Sequence, residues 1–245
     1  MHRFFADPEK EAGGLCFLSP EDARHAGTVL RLAVGDTVEL LLPDGRFLAE
    51  IRQMAGNQVA AEKLQPLPDP EPRLNVSLFQ GLPKADKMDW IVQKASELGV
   101  SRIVPLSLAR SVVRLDPRDA GRKQERWQKI AREACKQSGR YRIPEVTLPL
   151  SPKEALPLIR EMALTVIPWE ETETGGPLSV RKAFPDPASL GIIIGPEGGI
   201  EPAEVDFFRQ SGALPITLGR RILRTETAGL AALSAFMTLY GEMEE

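Results

Sequence analysis

Residues 192–202 read IIIGPEGGIEP, an apolar run that passes through a glycine-rich loop into a predicted helix. Gly195, Gly198 and Gly199 free the backbone for positive φ and for close approach to a ligand. In open α/β sheets, ligands bind beyond the carboxyl ends of the strands. The stretch therefore indicates an α/β fold with a ligand at this strand end, although a tight turn whose glycines only permit packing has the same spacing.

This loop lacks the marks of a nucleotide-phosphate site. No Lys-Ser or Lys-Thr pair follows it, as a phosphate loop requires, and GPEGG does not have the GxGxxG spacing of a dinucleotide fingerprint. The carboxylate of Glu197 would also repel a phosphate. We therefore expect a neutral or cationic ligand.

Two further strand ends carry unusual sequences. IPWE (167–170) closes one predicted strand, and LGRRILRTET (218–227) leads from another into the last predicted helix. Because the carboxyl ends of parallel strands share one edge of a sheet, we expect all three loops to meet one ligand.

Strand-like and helix-like segments alternate after residue 73. Such alternation predicts an α/β domain with a mostly parallel sheet. We predict strands at 74–80, 101–106, 163–168, 191–194 and 215–218, and helices at 85–98, at 120–138, from 202 and at 225–240.

Short apolar runs with turn signals dominate the chain before residue 65. Runs at 37–42, 46–52 and 57–64, the first two joined across Pro-Asp-Gly, predict a small β-barrel. A helix is predicted at 19–30, because SPED (19–22) supplies an N-cap, an N1 proline and first-turn acids.

Proline stands at every second position of QPLPDPEP (65–72), which makes this stretch a stiff, unpaired connector. We expect it to divide a β-barrel domain (1–70) from an α/β domain (73–245). A proline-rich loop inside one domain is the alternative.

Composition excludes several classes of protein. The 245 residues include two cysteines and two histidines, which lack the paired spacing of a four-ligand Cys/His zinc site, and one cysteine pair is too little for a disulfide framework. No apolar run approaches the ~20 residues of a membrane span, and MHRFFADPEK at the start lacks a signal-peptide core. We therefore expect a cytoplasmic protein with no metal and no membrane partner.

The net charge of −3 hides a strongly basic segment. Between Arg102 and Arg142, twelve basic residues stand against four acidic ones. Arginine-rich surfaces bind phosphate backbones. The segment, with Arg132 and Arg140 as candidate contacts, therefore favours RNA binding; a solvated helix face is the alternative.

The loops already described resemble those of a known family. GPEGGI (195–200) followed by LGRRILRTETA (218–228) is similar to the SPOUT-superfamily RNA methyltransferases, and most of all to the bacterial enzymes that methylate N3 of a uridine in 16S ribosomal RNA. Nearly the whole chain takes part in the resemblance, since four other segments match: MHRFF (1–5), HAGTVLR (25–31), QKASELGV (93–100) and QSGRYRIPEV (137–146).

The resemblance implies a C-terminal SPOUT domain with a trefoil knot and a small N-terminal PUA-like RNA-binding barrel. Knots are almost absent from other proteins, so no general rule of chain folding predicts this one. The resemblance also implies S-adenosylmethionine (SAM) as the cofactor, a homodimer with active sites near the subunit interface, and 16S ribosomal RNA of the 30S subunit as the partner.

By the same resemblance, the three loops cradle SAM. Apolar side chains of the last loop would enclose the adenine, and the glycines would approach the ribose and the amino-acid portion. Whether Glu197 contacts the cofactor or caps the following helix stays open. The implied cofactor-binding residues are Ile167, Glu170, Gly195, Glu197, Gly198, Gly199, Leu218, Gly219, Ile222, Leu223 and Thr225.

The implied chemistry needs a group that stabilises negative charge. N3 of uracil becomes a good nucleophile only when its proton leaves, which puts charge on the flanking oxygens. Arginine is always charged and donates two hydrogen bonds, so Arg224 and Arg110 are candidate catalytic residues. For Arg224, a salt bridge to Glu226 or to a partner carboxylate is the alternative.

The resemblance further suggests RNA contacts on the barrel by Arg3, His25 and Arg31. Two other functions remain open at this point. One is a SPOUT ribose 2′-O-methyltransferase of transfer or ribosomal RNA, against which the barrel-plus-knot layout and LRTETA (223–228) argue. The other is a non-catalytic RNA-binding ribosome-assembly factor, against which the intact glycine loops argue.

Overall fold

The computed structural model describes residues 1–56, 58–173 and 175–244, with the side chains of residues 7–12 left out. Two compact units divide these residues. The first comprises residues 1–71 and 135–142, and the second comprises residues 72–134 and 143 onward.

The first unit is a closed five-stranded barrel, as the sequence predicts. Its strand order is β1-β2-β5-β4-β3, and a parallel pairing of β1 with β3 closes it. Buried side chains fill it, among them Phe4, Leu40 and Ile51. The strands are β1 (Arg3–Ala12), β2 (Leu15–Leu18), β3 (Thr37–Leu42), β4 (Gly45–Ala55) and β5 (Gln58–Pro66).

Two expectations for the barrel need correction. Strands β1 and β2 are not predicted from the sequence, and the predicted third run begins at Asn57, which lies outside the described residues. The helix predicted at 19–30 is α-helical only over α1 (Pro20–Arg24), where Ser19 Oγ accepts the Asp22 N–H at 3.1 Å. It widens into a π-helical turn at His25–Val29, because the Leu30 N–H bonds to the carbonyl five residues back.

The second unit is built on a six-stranded sheet with order β11-β9-β10-β6-β7-β8. Every strand pair in it is parallel, which confirms the predicted sheet type. Its strands are β6 (Asn75–Gly81), β7 (Arg102–Leu106), β8 (Glu145–Val146), β9 (Leu164–Pro168), β10 (Ser189–Ile194) and β11 (Leu214–Ile216).

In the second unit, each of the six strands is followed along the chain by one helix. The sequence predicts four of these helices and misses α4 and α5, and it also misses the two-residue strand β8. The helices are α2 (Lys87–Glu97), α3 (Pro117–Ser138), α4 (Pro152–Arg160), α5 (Pro177–Ala183), α6 (Pro202–Arg209) and α7 (Thr225–Leu239). Among the described residues, no helix is long and apolar enough to span a membrane.

Strand order determines which loops meet. β10 lies between β6 and β9, with Ile194 beside Gln80 and Ile192 beside Val166. β11 continues the sheet beyond β9, with Ile216 beside Pro168. The carboxyl ends of β9, β10 and β11 therefore share one edge. Strand pairing does not define how the chain end passes the loops, so the trefoil knot stays a prediction.

Candidate active site

A cavity of about 870 Å³ opens at this edge of the sheet. Most of its lining comes from residues 168–170 and 172–173 at the end of β9, 194–197 and 199–200 at the end of β10, and 217–225 after β11. The three strand ends singled out in the sequence thus surround one space. Ligand pockets in proteins usually measure about 300–1,000 Å³, so the cavity is of the size that holds a small molecule.

The structure separates the candidate cofactor-binding residues into two groups. Ile167 is fully buried in the core beneath the sheet edge, and Gly198 faces Arg110, so neither lines the cavity. The side chain of Ile167 therefore belongs to the core, and the residues after it reach the cavity; a contact between Ile167 and the cofactor stays a prediction. The candidates that do line it are Glu170, Gly195, Glu197, Gly199, Leu218, Gly219, Ile222, Leu223 and Thr225.

The glycines allow close approach within the loop itself. Gly199 has φ +73°, and a Cβ there would lie 2.6 Å from Glu170 Oε1. A Cβ at Gly195 would lie 2.8 Å from Ile200 Cγ1. At Gly195 the backbone carbon of Gly199 would also lie within 2.9 Å, so packing requires glycine there. At Gly199 the positive φ favours glycine, and an added Cβ would displace the Glu170 carboxylate from its place over the loop.

Glu197 does not cap the helix that follows it. Its Oε1 accepts hydrogen bonds from the Lys84 N–H at 3.1 Å and from Lys87 Nζ at 2.9 Å. The N–H of Glu201, the residue before α6, bonds instead to the Glu204 carboxylate. The open choice between ligand contact and helix cap is thus decided against the cap.

Lys87 joins two walls of the cavity. Its Nζ lies 2.9 Å from Glu197 in the glycine loop and 3.2 Å from Glu226 in the first turn of α7. The hydrogen bond to Glu197 is the main reason that the pKa of Lys87 is raised above its ordinary value. Burial alone would raise the pKa of Glu197, but hydrogen bonds from Lys87 and from backbone N–H groups outweigh it and hold that pKa below its ordinary value.

The two candidate catalytic arginines lie on different sides of the glycine loop. Arg224 lines the cavity and is exposed. Arg110 Nη1 donates to the Gly198 carbonyl at 3.0 Å, and its Nε lies 3.9 Å from Glu201, so Arg110 braces the loop from outside the cavity. Glu226 pairs with Lys87, and within the described ranges Arg224 forms no ion pair; the alternative of an Arg224–Glu226 salt bridge is therefore wrong.

Two residues of this region are missed by the sequence reasoning, Gln80 and Lys87. Gln80 is fully buried at the end of β6, and its Nε2 donates to Thr225 Oγ1 at 2.8 Å. A polar residue closing the apolar run NVSLFQG (75–81) is a signal that could have found it. No sequence pattern points to Lys87, since its partners are more than a hundred residues away.

The candidate RNA contacts differ in accessibility. His25 and Arg31 are exposed, and Arg132 is half-buried. Arg3 is ion-paired with Glu39 at 3.0 Å. The structure does not support the prediction that Arg140 contacts RNA: its side chain is 5% exposed and ion-paired with Glu71 at 2.8 Å, so it has little surface to offer a phosphate.

Acidic partners offset part of the basic segment 102–142. The pairs are Arg102–Glu145, Arg122–Asp119, Arg126–Asp89, Lys136–Asp22 and Arg140–Glu71. Arg114, Arg118 and Lys129 are exposed and, as far as the described residues go, unpaired. Among all the described residues, no group of three or more His, Cys, Asp and Glu side chains is arranged to hold a metal.

Comparison with known proteins agrees with this geometry. The RNA methyltransferase domain model matches residues 70–237, and the RNA methyltransferase PUA domain model matches residues 18–64. Ribosomal RNA small subunit methyltransferase E of Bacillus subtilis (strain 168) is 36% identical over 244 residues, which cover 96% of this chain and 95% of the relative.

Two solved structures match along almost their full length. Ribosomal RNA small subunit methyltransferase E from Neisseria gonorrhoeae, bound to S-adenosyl methionine, is 33% identical with 98% of each chain covered and a TM-score of 0.83. A Legionella pneumophila protein in complex with the bound cofactor SAM is 34% identical with 96% of each chain covered and a TM-score of 0.82. The chain therefore belongs to the RNA methyltransferase family that includes ribosomal RNA small subunit methyltransferase E, with a PUA domain before its SPOUT domain.

Proposed function

We propose that this protein methylates N3 of a specific uridine in 16S ribosomal RNA, with SAM as the methyl donor. The observation that carries the proposal is the cavity at the sheet edge, in which the glycine loop, Glu170 and Arg224 face one space. Membership of the family and the SAM-bound structures of its members support it.

The residues of the cavity fit SAM in chemistry as well as in size. Leu218, Ile222 and Leu223 offer apolar surface for an adenine ring. Both oxygens of Glu197 accept hydrogen bonds from within the chain, whereas Glu170 is exposed and forms no ion pair with the described residues. We therefore assign Glu170 as the carboxylate that attracts the positive charge of SAM.

In the mechanism that we propose, Arg224 stabilises the developing negative charge. Bound SAM supplies an electrophilic methyl group; the N3–carbon bond forms, the carbon–sulfur bond breaks and the N3 proton leaves to solvent. The Arg224 guanidinium would donate to the oxygens beside N3, where charge accumulates. The loops would contribute the rest by holding the base and the methyl group in line.

RNA binding is assigned to accessible basic and polar side chains. On the barrel these are the exposed His25 and Arg31, and in the basic segment they are the half-buried Arg132 and the exposed, unpaired group Arg114, Arg118 and Lys129. We propose the 30S subunit as the substrate particle, a cytoplasmic location and a homodimer. Light scattering would detect the dimer as twice the 26.9 kDa mass of the chain.

The proposal is tested by transfer of a labelled methyl group from SAM to 30S particles from cells that lack the gene. We expect one methyl group per particle with the wild-type protein and none with heat-inactivated protein. Label on transfer RNA would contradict the substrate. No label, with SAM still bound in calorimetry, would favour the non-catalytic assembly factor.

A further inference from the structure

Gln80 places an amide group in the buried part of the sheet. It is fully buried at the end of β6, and its neighbour on β10 is Ile194. A buried amide is costly unless its polar atoms are hydrogen-bonded. The contacts of Gln80 therefore indicate what it does.

A directed chain of hydrogen bonds starts at this amide. Gln80 Nε2 donates to the Gly81 carbonyl at 3.1 Å and to Thr225 Oγ1 at 2.8 Å, and Thr225 Oγ1 donates to the Gly195 carbonyl at 2.6 Å. The Thr225 hydroxyl donates its one proton to the Gly195 carbonyl, so its oxygen must accept the hydrogen bond from Gln80 Nε2. Because both neighbours of Nε2 are acceptors, the amide has one orientation.

Helix α7 lies directly against this chain. A Cβ at Gly229 would lie 3.1 Å from Gln80 Oε1 and 3.6 Å from Ile194 Cγ1. Within the described residues, Gln80 Oε1 has no hydrogen-bond donor. Gly229 thus leaves the room that the amide needs, and the amide is held by the two bonds from its nitrogen.

The chain of bonds connects two walls of the cavity. Gly195 opens the glycine loop, Thr225 is the first residue of α7, and both line the cavity. Gln80 lies behind them and, in the part of the chain that the structure describes, is not a lining residue. Gln80 can therefore affect a ligand only through Gly195 and Thr225, whose positions it holds.

We propose that Gln80 is a positioning residue, which acts through Thr225 to hold the glycine loop and the start of α7 in the arrangement that binds SAM. This inference rests on the SAM-dependent function proposed above. It also revises the role of Thr225, whose hydroxyl is used within the chain and orders the loop instead of binding the cofactor.

Gln80→Leu and Thr225→Val remove the chain of bonds with little change in volume. Thr225→Ser keeps the hydroxyl. Thr165→Val is the matched control, since Thr165 is 4% exposed in β9, its hydroxyl faces the Ile159 carbonyl at 3.5 Å, and it lies outside the cavity lining. Each variant is measured for thermal midpoint, for SAM affinity by calorimetry and for amide hydrogen exchange without SAM.

All three apolar variants should lower the thermal midpoint. Only Gln80→Leu and Thr225→Val should weaken SAM binding, by about tenfold, as expected for one lost buried hydrogen bond. The same two should speed amide exchange at residues 195–200 and 225–229 in the SAM-free protein, and Thr225→Ser should restore both properties.

Two results would overturn the positioning role. One is unchanged exchange and SAM affinity in Gln80→Leu, and the other is equal weakening by Thr165→Val. Failure of the wild-type protein to bind SAM would refute the proposed function instead, and the exchange measurement would still decide whether Gln80 orders the loop.

Discussion

Single residues decide how the cavity can act. Arg110 and Arg224 are both candidates from the sequence, since each is an arginine that could stabilise negative charge. The structure separates them, because Arg110 is bound to the Gly198 carbonyl while Arg224 faces the cavity. Arg110 therefore braces the loop, and charge stabilisation is the role that we propose for Arg224.

Arg224→Ala should lower the rate of methyl transfer by about a hundredfold, the effect typical of removing a donor that stabilises charge in the transition state. SAM affinity should stay within a factor of about two, because it is the uracil oxygens that the guanidinium is proposed to contact. Arg224→Lys should recover only part of the rate, since an ammonium cannot donate in the same fork. Single-turnover rates with 30S particles measure this, and a wild-type rate in Arg224→Ala would rule out the role.

Gly199→Ala should abolish tight SAM binding. The residue has φ +73°, and the new methyl group would displace the Glu170 carboxylate. Gly212→Ala is the matched control, because Gly212 has φ +94° and a Cβ added there would meet nothing within 4 Å. Backbone strain should cost both variants about 1 kcal/mol or more, but only Gly199→Ala should lose SAM in calorimetry; equal SAM binding by the two would contradict the assignment of Glu170.

At the scale of helices and strands, the last helix is tied to the glycine loop twice. Thr225 forms the buried tie, and Lys87 forms the ionic one through Glu197 and Glu226. The ionic tie is partly exposed, so salt should weaken it.

Lys87→Met should lower the thermal midpoint at pH 7 and lose its effect in acid. A carboxyl whose folded pKa is depressed stabilises the fold above its unfolded pKa, and this contribution is lost as the pH falls through the folded value. The pKa of Glu197 is lowered from 4.5, so the difference between wild type and variant should be constant near neutral pH and shrink once the pH falls below 4.5.

The control for Lys87→Met is Lys94→Met. Lys94 pairs with Glu97 one turn along α2 and ties no second element. Its removal should leave SAM affinity unchanged, whereas Lys87→Met should weaken it. A midpoint difference for Lys87→Met that persists unchanged at pH 3 would show that the carboxylates are not involved.

The sequence predicts elements with strong local signals. Alternating segments predict the parallel sheet, and Ser19 marks the start of α1. Helix α4 could have been found too, because Ser151 and Glu154 form a capping box ahead of an apolar run. The two-residue strand β8 has no such signal.

Local sequence signals do not predict contacts between segments that are far apart in the chain. Nothing in the chain says that β10 lies beside β6, so neither Gln80 nor Lys87 could be placed near the glycine loop. Charge counting fails in a similar way for Arg140, because its carboxylate partner, Glu71, is 69 residues away. The resemblance supplied the loops as a set, whereas the side-chain roles within them came from geometry.

At the scale of the whole molecule, a chain of net charge −3 has to bind RNA with local cations. The barrel offers the exposed cation Arg31, and the exposed polar side chain of His25 is a further candidate contact. Arg31 has a backbone φ of 54°, an unusual conformation for a residue other than glycine or asparagine. Such a residue is held in place by the fold around it, which suits a fixed contact.

Arg31→Asn should weaken binding to 16S ribosomal RNA without changing SAM affinity. Asparagine tolerates the left-handed conformation, so the fold should keep its stability while one phosphate contact disappears. The slope of log affinity against log salt should fall by about one unit. Arg160→Gln, at an exposed site on α4, serves as the charge control; an identical effect of both variants would point to net charge alone.

The most direct test of the central claim is nucleoside mass spectrometry of 16S RNA after reaction of the protein and SAM with 30S particles from cells that lack the gene. We predict a single new 3-methyluridine per RNA, formed about a hundredfold more slowly when Arg224→Ala replaces the wild-type protein. A methyl group on a ribose 2′-oxygen, or on a base other than uracil, would contradict the proposed specificity.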